Sequence, residues 1–265
     1  MATVKLHAND DRSDIPLVLL PPFPFDSRVW DDVLSRLGGD VITVDPPGFG
    51  GEMGEGEPSL EAYADALAKA LEERGVERVV IAGNSMGGYA AMAFAEAYPD
   101  MIAGIGLFGT KSTADTDEAR QGRLDMAAGA EAGKTANQLV GPMIDRLVAP
   151  NASGNVVRDV KQWLADAPTD GIAWAQRAMA ARPDRTEVLR MLDVPAVVVH
   201  GPADPMMDAA THQMMADALG VDVISLPGRG HLLPMEAPDD VAATLLQVWE
   251  EAHNANTASG PHVSD

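Results

Sequence analysis

Val79-Val80-Ile81-Ala82-Gly83-Asn84-Ser85-Met86-Gly87-Gly88, followed by an alanine-rich run to Tyr98 and Pro99, decides how this chain is read. Val79 to Ala82 is a short apolar run, the pattern of a buried strand. Gly88 to Tyr98 reads as a helix, and Pro99 stops it. Between them lies G-x-S-x-G. A serine there sits on a turn too sharp for ordinary backbone, so its hydroxyl projects past the sheet edge, as a nucleophile elbow requires. Gly83 and Gly87 lack a Cβ, which lets strand and helix approach closely. A helix beginning near Met86 aims free N–H groups and its positive dipole end at any anion formed beside Ser85.

Strands and helices alternate on both sides of this stretch. Val4 to Ala8, Ile15 to Leu20, Val41 to Val44, Ile102 to Phe108, Val194 to His200 and Val221 to Leu226 read as further strands. Helices are expected from Trp30 to Leu37, from Leu60 to Arg74 behind a Ser59 cap, and from Ala237 to Ala252. That alternation predicts an α/β fold with a doubly wound, mostly parallel sheet. Sites in such sheets lie outside the carboxyl ends of the strands. Phe23, Asp45 and Ser85 all fall just past such ends. From Thr110 to about Arg190 strand patterns vanish and helical segments follow one another. The expected organisation is a core in two parts, 1–110 and 191–252, a helical cap over 111–190, and a frayed tail over 253–265. The cap would cover the strand rim as a lid. Phe25, Met126, Met143, Trp163, Trp174 and Met179 are candidate lining residues of a substrate pocket.

Two more strand ends carry chemistry. Gly201-Pro202-Ala203-Asp204 follows one strand, and Pro227-Gly228-Arg229-Gly230-His231 follows the last. The chain order is Ser85, Asp204, His231. A serine hydroxyl is a poor nucleophile until a base takes its proton. An imidazole, with an unperturbed pKa of about 6.5, can do so near neutrality. A carboxylate can fix the imidazole tautomer and stabilise the imidazolium. Asp208 is the alternative acid. His200, His212, His253 and His262 are the other histidines in the second half of the chain.

The composition excludes several classes. The chain has 265 residues, enough for one large α/β domain with an insertion. It has no cysteine, so thiolate metal sites, disulfides and cysteine nucleophiles are absent. Lys plus Arg number 19 against 40 Asp plus Glu, a formal net charge of −21, which repels nucleic acid and anionic membranes. An acidic substrate would need a local basic patch. No grouped metal ligands, no phosphate-binding glycine loop, no membrane-spanning run and no signal peptide are legible. The expectation is a cytoplasmic protein without metal or cofactor, with no nucleic-acid or membrane partner, acting on a small molecule. The oligomeric state is open.

Taken together, these motifs resemble the α/β-hydrolase superfamily. Gly83-Asn84-Ser85-Met86-Gly87-Gly88 looks like its nucleophile elbow, Asp45-Pro46-Pro47-Gly48-Phe49-Gly50 like its D-x-x-G-x-G loop, and Gly230-His231-Leu232-Leu233-Pro234-Met235-Glu236-Ala237-Pro238 like its histidine loop. The arrangement is similar to small serine esterases, 3-oxoadipate enol-lactonases and cofactor-free perhydrolases. Residues 168–184 resemble the lactonase branch. The resemblance implies a serine hydrolase that cleaves a carboxylic ester or lactone through a Ser85-His231-Asp204 triad and an acyl-enzyme. It places the oxyanion hole at the backbone N–H groups of Phe23 and Met86. One departure is Pro21-Pro22 where the family usually has His-Gly. Neither proline has an N–H, and the expectation is that they stiffen the loop. Peroxide in place of water, a C–C or amide bond in place of the ester, and a non-catalytic small-ligand receptor remain alternatives on the same fold.

Overall fold

A computed structural model describes residues 1–9 and 11–258. The strands are β1 (Lys5–Ala8), β2 (Leu17–Leu20), β3 (Val41–Asp45), β4 (Val79–Asn84), β5 (Ile102–Phe108), β6 (Ala196–His200) and β7 (Val223–Ser225). They form one sheet in the order β1-β3-β2-β4-β5-β6-β7. β1 is antiparallel to β3 and every other pairing is parallel. β2 to β6 are buried at every position. A strand buried on both sides needs apolar residues throughout, which is why these segments read as continuous apolar runs rather than alternating ones.

The helices are α1 (Asp31–Leu34), α2 (Leu60–Glu73), α3 (Met86–Ala97), α4 (Asp117–Glu131), α5 (Ala136–Leu139), α6 (Ile144–Leu147), α7 (Gly154–Asp166), α8 (Thr169–Ala181), α9 (Thr186–Met191), α10 (Ala209–Leu219), α11 (Leu233–Glu236) and α12 (Pro238–Ala258). α12 lies against β4, β5 and β6 with α1 beside it, and α3 lies against β2, β4 and β5 with α2 and α9 beside it. The fold is therefore the expected α/β one, with a helical layer on each face.

Some boundaries differ from the sequence reading. The segment expected as a helix over 30–37 is a short 3-10 turn, Ser27–Trp30, followed by the single α turn of α1. Asp26 starts it by accepting from the Arg28 amide. α3 begins at Met86, directly after Ser85. α12 runs to Ala258 rather than stopping at 252, and Asn256 there accepts a hydrogen bond from Arg78 at 2.7 Å. The rest of the expected tail, 259–265, lies outside the described residues. Among the described residues no helix is long and apolar enough to cross a membrane.

Between β5 and β6 the chain makes a wholly helical excursion, α4 to α9. Its two ends meet at the sheet. Ser112 Oγ and Thr186 Oγ1 are 2.7 Å apart, and the Arg185 amide donates to the Ser112 carbonyl at 2.9 Å. Arg182, within the excursion, reaches back to the Thr113 carbonyl at 3.1 Å.

Candidate active site

The order of the strands creates the site. The chain passes from β2 outward to β3, then crosses back to place β4 on the other side of β2. A crevice forms where that direction reverses. Leu20, the last residue of β2, pairs with Gly83 of β4. The loops that follow, with Phe23 and Ser85, are therefore neighbours by construction.

Ser85 is the only non-glycine residue with positive φ among the described residues, at φ 54° and ψ −112°. Such a conformation costs of order 1–3 kcal/mol and persists only where the surroundings fix it. Here they do. The Ser85 amide donates to the Phe108 carbonyl at 2.9 Å. Its own carbonyl accepts from the amides of Gly88 (2.9 Å) and Tyr89 (3.2 Å) and from the Thr110 hydroxyl (2.8 Å). The flanking glycines are sterically required. A Cβ on Gly83 would lie 2.1 Å from the Gly87 carbonyl carbon, and one on Gly87 would lie 2.2 Å from the Leu20 carbonyl oxygen.

Asp204 and His231 come from the loops after β6 and β7. Gly201 lets those loops touch, since a Cβ there would sit 2.3 Å from the Gly230 carbonyl oxygen. The Ala203 amide donates to the Arg229 carbonyl at 2.9 Å. His231 Nδ1–H donates to Asp204 Oδ2 at 2.6 Å, and both side chains are buried. Asp204 Oδ1 accepts from the amides of Met206 (2.7 Å) and Met207 (3.3 Å). A carboxylate engaged on both oxygens is held in orientation. Two further contacts fix the histidine loop. Asn84 Nδ2 donates to the His231 carbonyl at 3.1 Å. Glu236 Oε2 accepts from the amides of Gly230 (3.0 Å) and Ala149 (3.1 Å).

The remaining acid and histidines sit elsewhere. Asp208 caps α10 by accepting from the Thr211 amide at 2.8 Å. His200 packs its ring against His212, with centroids 4.5 Å apart. Asp45 ends β3 and is structural. Its oxygens accept from the Ser27 amide (3.0 Å) and from His7 Nε2–H (2.8 Å). Burial works against its charge, but those hydrogen bonds outweigh burial and lower its pKa.

Ser85 and His231 open on one cavity of about 200 Å³, which Phe23, Met206 and Met207 also line. Phe23 lies in a tight turn, with the Phe25 amide donating to the Pro22 carbonyl at 2.9 Å, and the Phe23–Pro24 peptide is cis. Among the described residues nothing accepts from the amides of Phe23 or Met86. The helical excursion supplies the other wall of the cavity. Met143 is part of that wall. Phe25 and Trp163 meet edge-on, 6.2 Å between centroids, beside a second hollow of about 250 Å³. Trp174 and Met126 line neither. On α8 the cavity is faced by Gln176 and Met179, and Trp174, two positions before Gln176, points to roughly the opposite side of the helix. Met126 shares the α4 face of Ala119 and Arg123 but lies a turn further on.

Sequence reasoning missed the polar half of this cavity. Tyr89, Lys111, Asp115, Arg123, Arg146 and Gln176 all line it. The available signal was scarcity. In a chain with only 19 Lys and Arg among 265 residues, eleven fall within residues 111–190, Lys111, Arg123 and Arg146 among them.

Residues 17–244 match the pattern of the Alpha/beta hydrolase family. The chain belongs to that family. It is 27% identical over 247 residues to a pimeloyl-[acyl-carrier protein] methyl ester esterase of Aromatoleum aromaticum, covering 88% of this chain and 97% of that one. It is 22% identical over 240 residues to a 3-oxoadipate enol-lactonase of Acinetobacter baylyi, covering 89% of each. Among solved structures, a thermophilic esterase from Thermogutta terrifontis, malate bound, superposes with a TM-score of 0.87 at 30% identity over 94% of both chains. The enol-lactonase from Burkholderia xenovorans has the same fold, with a TM-score of 0.82 at 20% identity over 94% of this chain and 96% of that one. This alpha/beta hydrolase thus has esterases and lactonases among its relatives.

Proposed function

We propose that this hydrolase cleaves a small carboxylic ester or lactone through Ser85, His231 and Asp204. The observation that carries the reading is the buried His231–Asp204 hydrogen bond of 2.6 Å beside a cavity shared with Ser85. With Nδ1–H committed to Asp204, His231 presents Nε2 as the free base. It takes the proton of Ser85 Oγ as that oxygen attacks the carbonyl carbon. The tetrahedral oxyanion is received by the amides of Phe23 and Met86, which have no competing acceptor among the described residues. His231 then gives the proton to the leaving alkoxide, and the acyl-enzyme forms. Water, deprotonated by the same imidazole, repeats the cycle and frees the acid. Each oxyanion donor contributes about 10²–10³ in rate. No cofactor takes part in this sequence. The esterase and lactonase relatives support the substrate class.

The test is labelling with a fluorophosphonate probe, followed by peptide mapping. Wild type is expected to carry one adduct, on Ser85, and Ser85→Ala none. Ester turnover of Ser85→Ala is expected to fall at least about 10⁴-fold. Undiminished turnover in that variant would end the proposal.

A further inference from the structure

The cavity beside Ser85 is cationic in a strongly anionic protein. Asp115 is its electrostatic centre. Lys111 Nζ (3.0 Å), Arg123 Nε (2.6 Å) and Arg182 (2.8 and 2.9 Å) all converge on its carboxylate. Burial opposes ionisation of Asp115, but the hydrogen bonds and charges of Arg182 and Arg123 more than offset it and hold the carboxyl well below its usual range. One carboxylate neutralises one cation. Two positive charges are left over. Arg146, on the same cavity wall, has no ion-pair partner among the described residues, which makes three.

The placement of these charges distinguishes a binding site from a strut. Arg182 is the strut. It is 2% exposed, tied to the excursion backbone, and its guanidinium stacks on the Tyr89 ring at 4.1 Å. Lys111 and Arg123 are each 21% exposed and both line the cavity. A second, independent feature points the same way. Tyr89 is 2% exposed, lines the cavity, and its hydroxyl has no hydrogen-bond partner. A buried hydroxyl without a partner is destabilising unless a ligand satisfies it. A donor of that kind beside excess cations is matched by one chemistry, an anionic oxygen.

We infer that the ester this site accepts carries a second, non-reacting carboxylate, received by Lys111, Arg123 and Arg146 with the Tyr89 hydroxyl as hydrogen-bond donor. The inference rests on the hydrolase reading of Ser85 and adds the substrate's charge. The substrate class is a hemiester of a small dicarboxylic acid, or a lactone bearing a carboxylate. The cavity, about 200 Å³, holds the volume of about seven waters, which limits the ligand to a small one. The net charge of −21 slows the approach of such an anion at long range. The local cations capture it at short range, where less solvent screens them.

The experiment compares monoethyl succinate with diethyl succinate, and separately titrates succinate into Ser85→Ala by calorimetry. Two variants leave every ion pair of the Asp115 cluster and the ring beneath Arg182 in place. Arg146→Gln removes a cation without a partner, and Tyr89→Phe removes a hydroxyl without one. Wild type is expected to prefer the hemiester by at least tenfold in kcat/KM. Each variant is expected to lose about tenfold on the hemiester, through KM, to lower the hemiester-to-diester ratio of kcat/KM by a similar factor, and to weaken succinate binding likewise. Added salt should shrink the preference. Equal or better turnover of the diester, or a preference untouched by both variants, overturns the inference while leaving the Ser85 reading standing. If no fluorophosphonate adduct forms on Ser85 but succinate binds and both variants weaken it, the anion site stands and the hydrolase reading fails. Absence of succinate binding together with absence of a hemiester preference removes the anion site altogether.

Discussion

Asn84 and His231 are 147 positions apart in the chain, and the side-chain amide of one holds the main-chain carbonyl of the other at 3.1 Å. The same amide donates to the Phe108 carbonyl at 2.9 Å. Asn84 thus couples the elbow of β4 to the histidine loop and to the end of β5. Asn84→Ala leaves two buried carbonyls without this donor, at a cost of about 1–3 kcal/mol. We expect a urea midpoint lowered accordingly. At a temperature where both proteins are folded, the rate of fluorophosphonate labelling of Ser85 should also fall about tenfold. An unchanged labelling rate would show that His231 keeps its place without Asn84.

Glycine substitutions should separate steric need from propensity. Gly87→Ala places a Cβ 2.2 Å from the Leu20 carbonyl oxygen. Backbone must move, and the expected loss is at least about 2 kcal/mol. Gly122 lies within α4 and a Cβ there meets nothing within 4 Å. Gly122→Ala should stabilise the protein by about 0.5–1 kcal/mol. Thermal melts of the pair read both signs at once.

Glu236 bridges the histidine loop and the helical excursion through one oxygen that accepts from Gly230 and Ala149. Burial raises its pKa, against the hydrogen bonds from those amides. Glu236→Gln keeps an acceptor oxygen and should cost under about 1 kcal/mol, whereas Glu236→Ala strands two amides and should cost about 1–3 kcal/mol. Equal losses in the two variants would mean that the charge, rather than the acceptor, matters.

His212 gives the fold a pH limit. Its Nδ1–H donates to the Asp208 carbonyl at 2.8 Å, its Nε2 has no partner, and burial pushes its pKa down to about 4. The folded pKa lies below the unfolded value of about 6.5, so the unfolded chain binds the extra proton. Stability is complete above about pH 6.5 and falls as pH drops toward about 4, by up to roughly 3 kcal/mol from this group. His212→Asn keeps a donor for the Asp208 carbonyl and removes the titration. Its urea midpoints between pH 4.5 and 7.5 should slope less than those of wild type, and coincident slopes would exclude His212 as the source.

The sheet was legible because β2 to β6 are buried on both faces and so are written as unbroken apolar runs. The meeting of Asp204 with His231 on a cavity shared with Ser85 has a related cause, since each residue follows a strand and the fold gathers strand ends on one rim. Helix limits were harder to read. α1 is a single turn because Asp26 begins a 3-10 segment in front of it, and α12 outlasts its apolar stripe because Arg78 holds Asn256. The cavity wall was the least legible part. Which side of α8 faces Ser85 depends on the helix's rotation about its own axis. Apolar spacing gave Trp174 and Met179, whereas the structure presents Met179 together with Gln176. Lys111, Arg123, Arg146 and Tyr89 follow no period at all. Folding brings them together from a loop and three separate helices.

The meeting of Ser112 with Thr186, and of Arg185 with the Ser112 carbonyl, makes the helical excursion a closed detour. Chain leaves the core and re-enters it at nearly the same point, so the strands on either side keep their spacing whatever the length of chain in between. Helices 4 to 8 form a cassette. Its ends share one clasp, and the Ala149–Glu236 bridge and the Arg182–Tyr89 stack tie its middle to the strand ends beneath. A transplanted cassette would carry Arg123 and Arg146 to a new host, while Tyr89 and Lys111 would stay behind with Ser85.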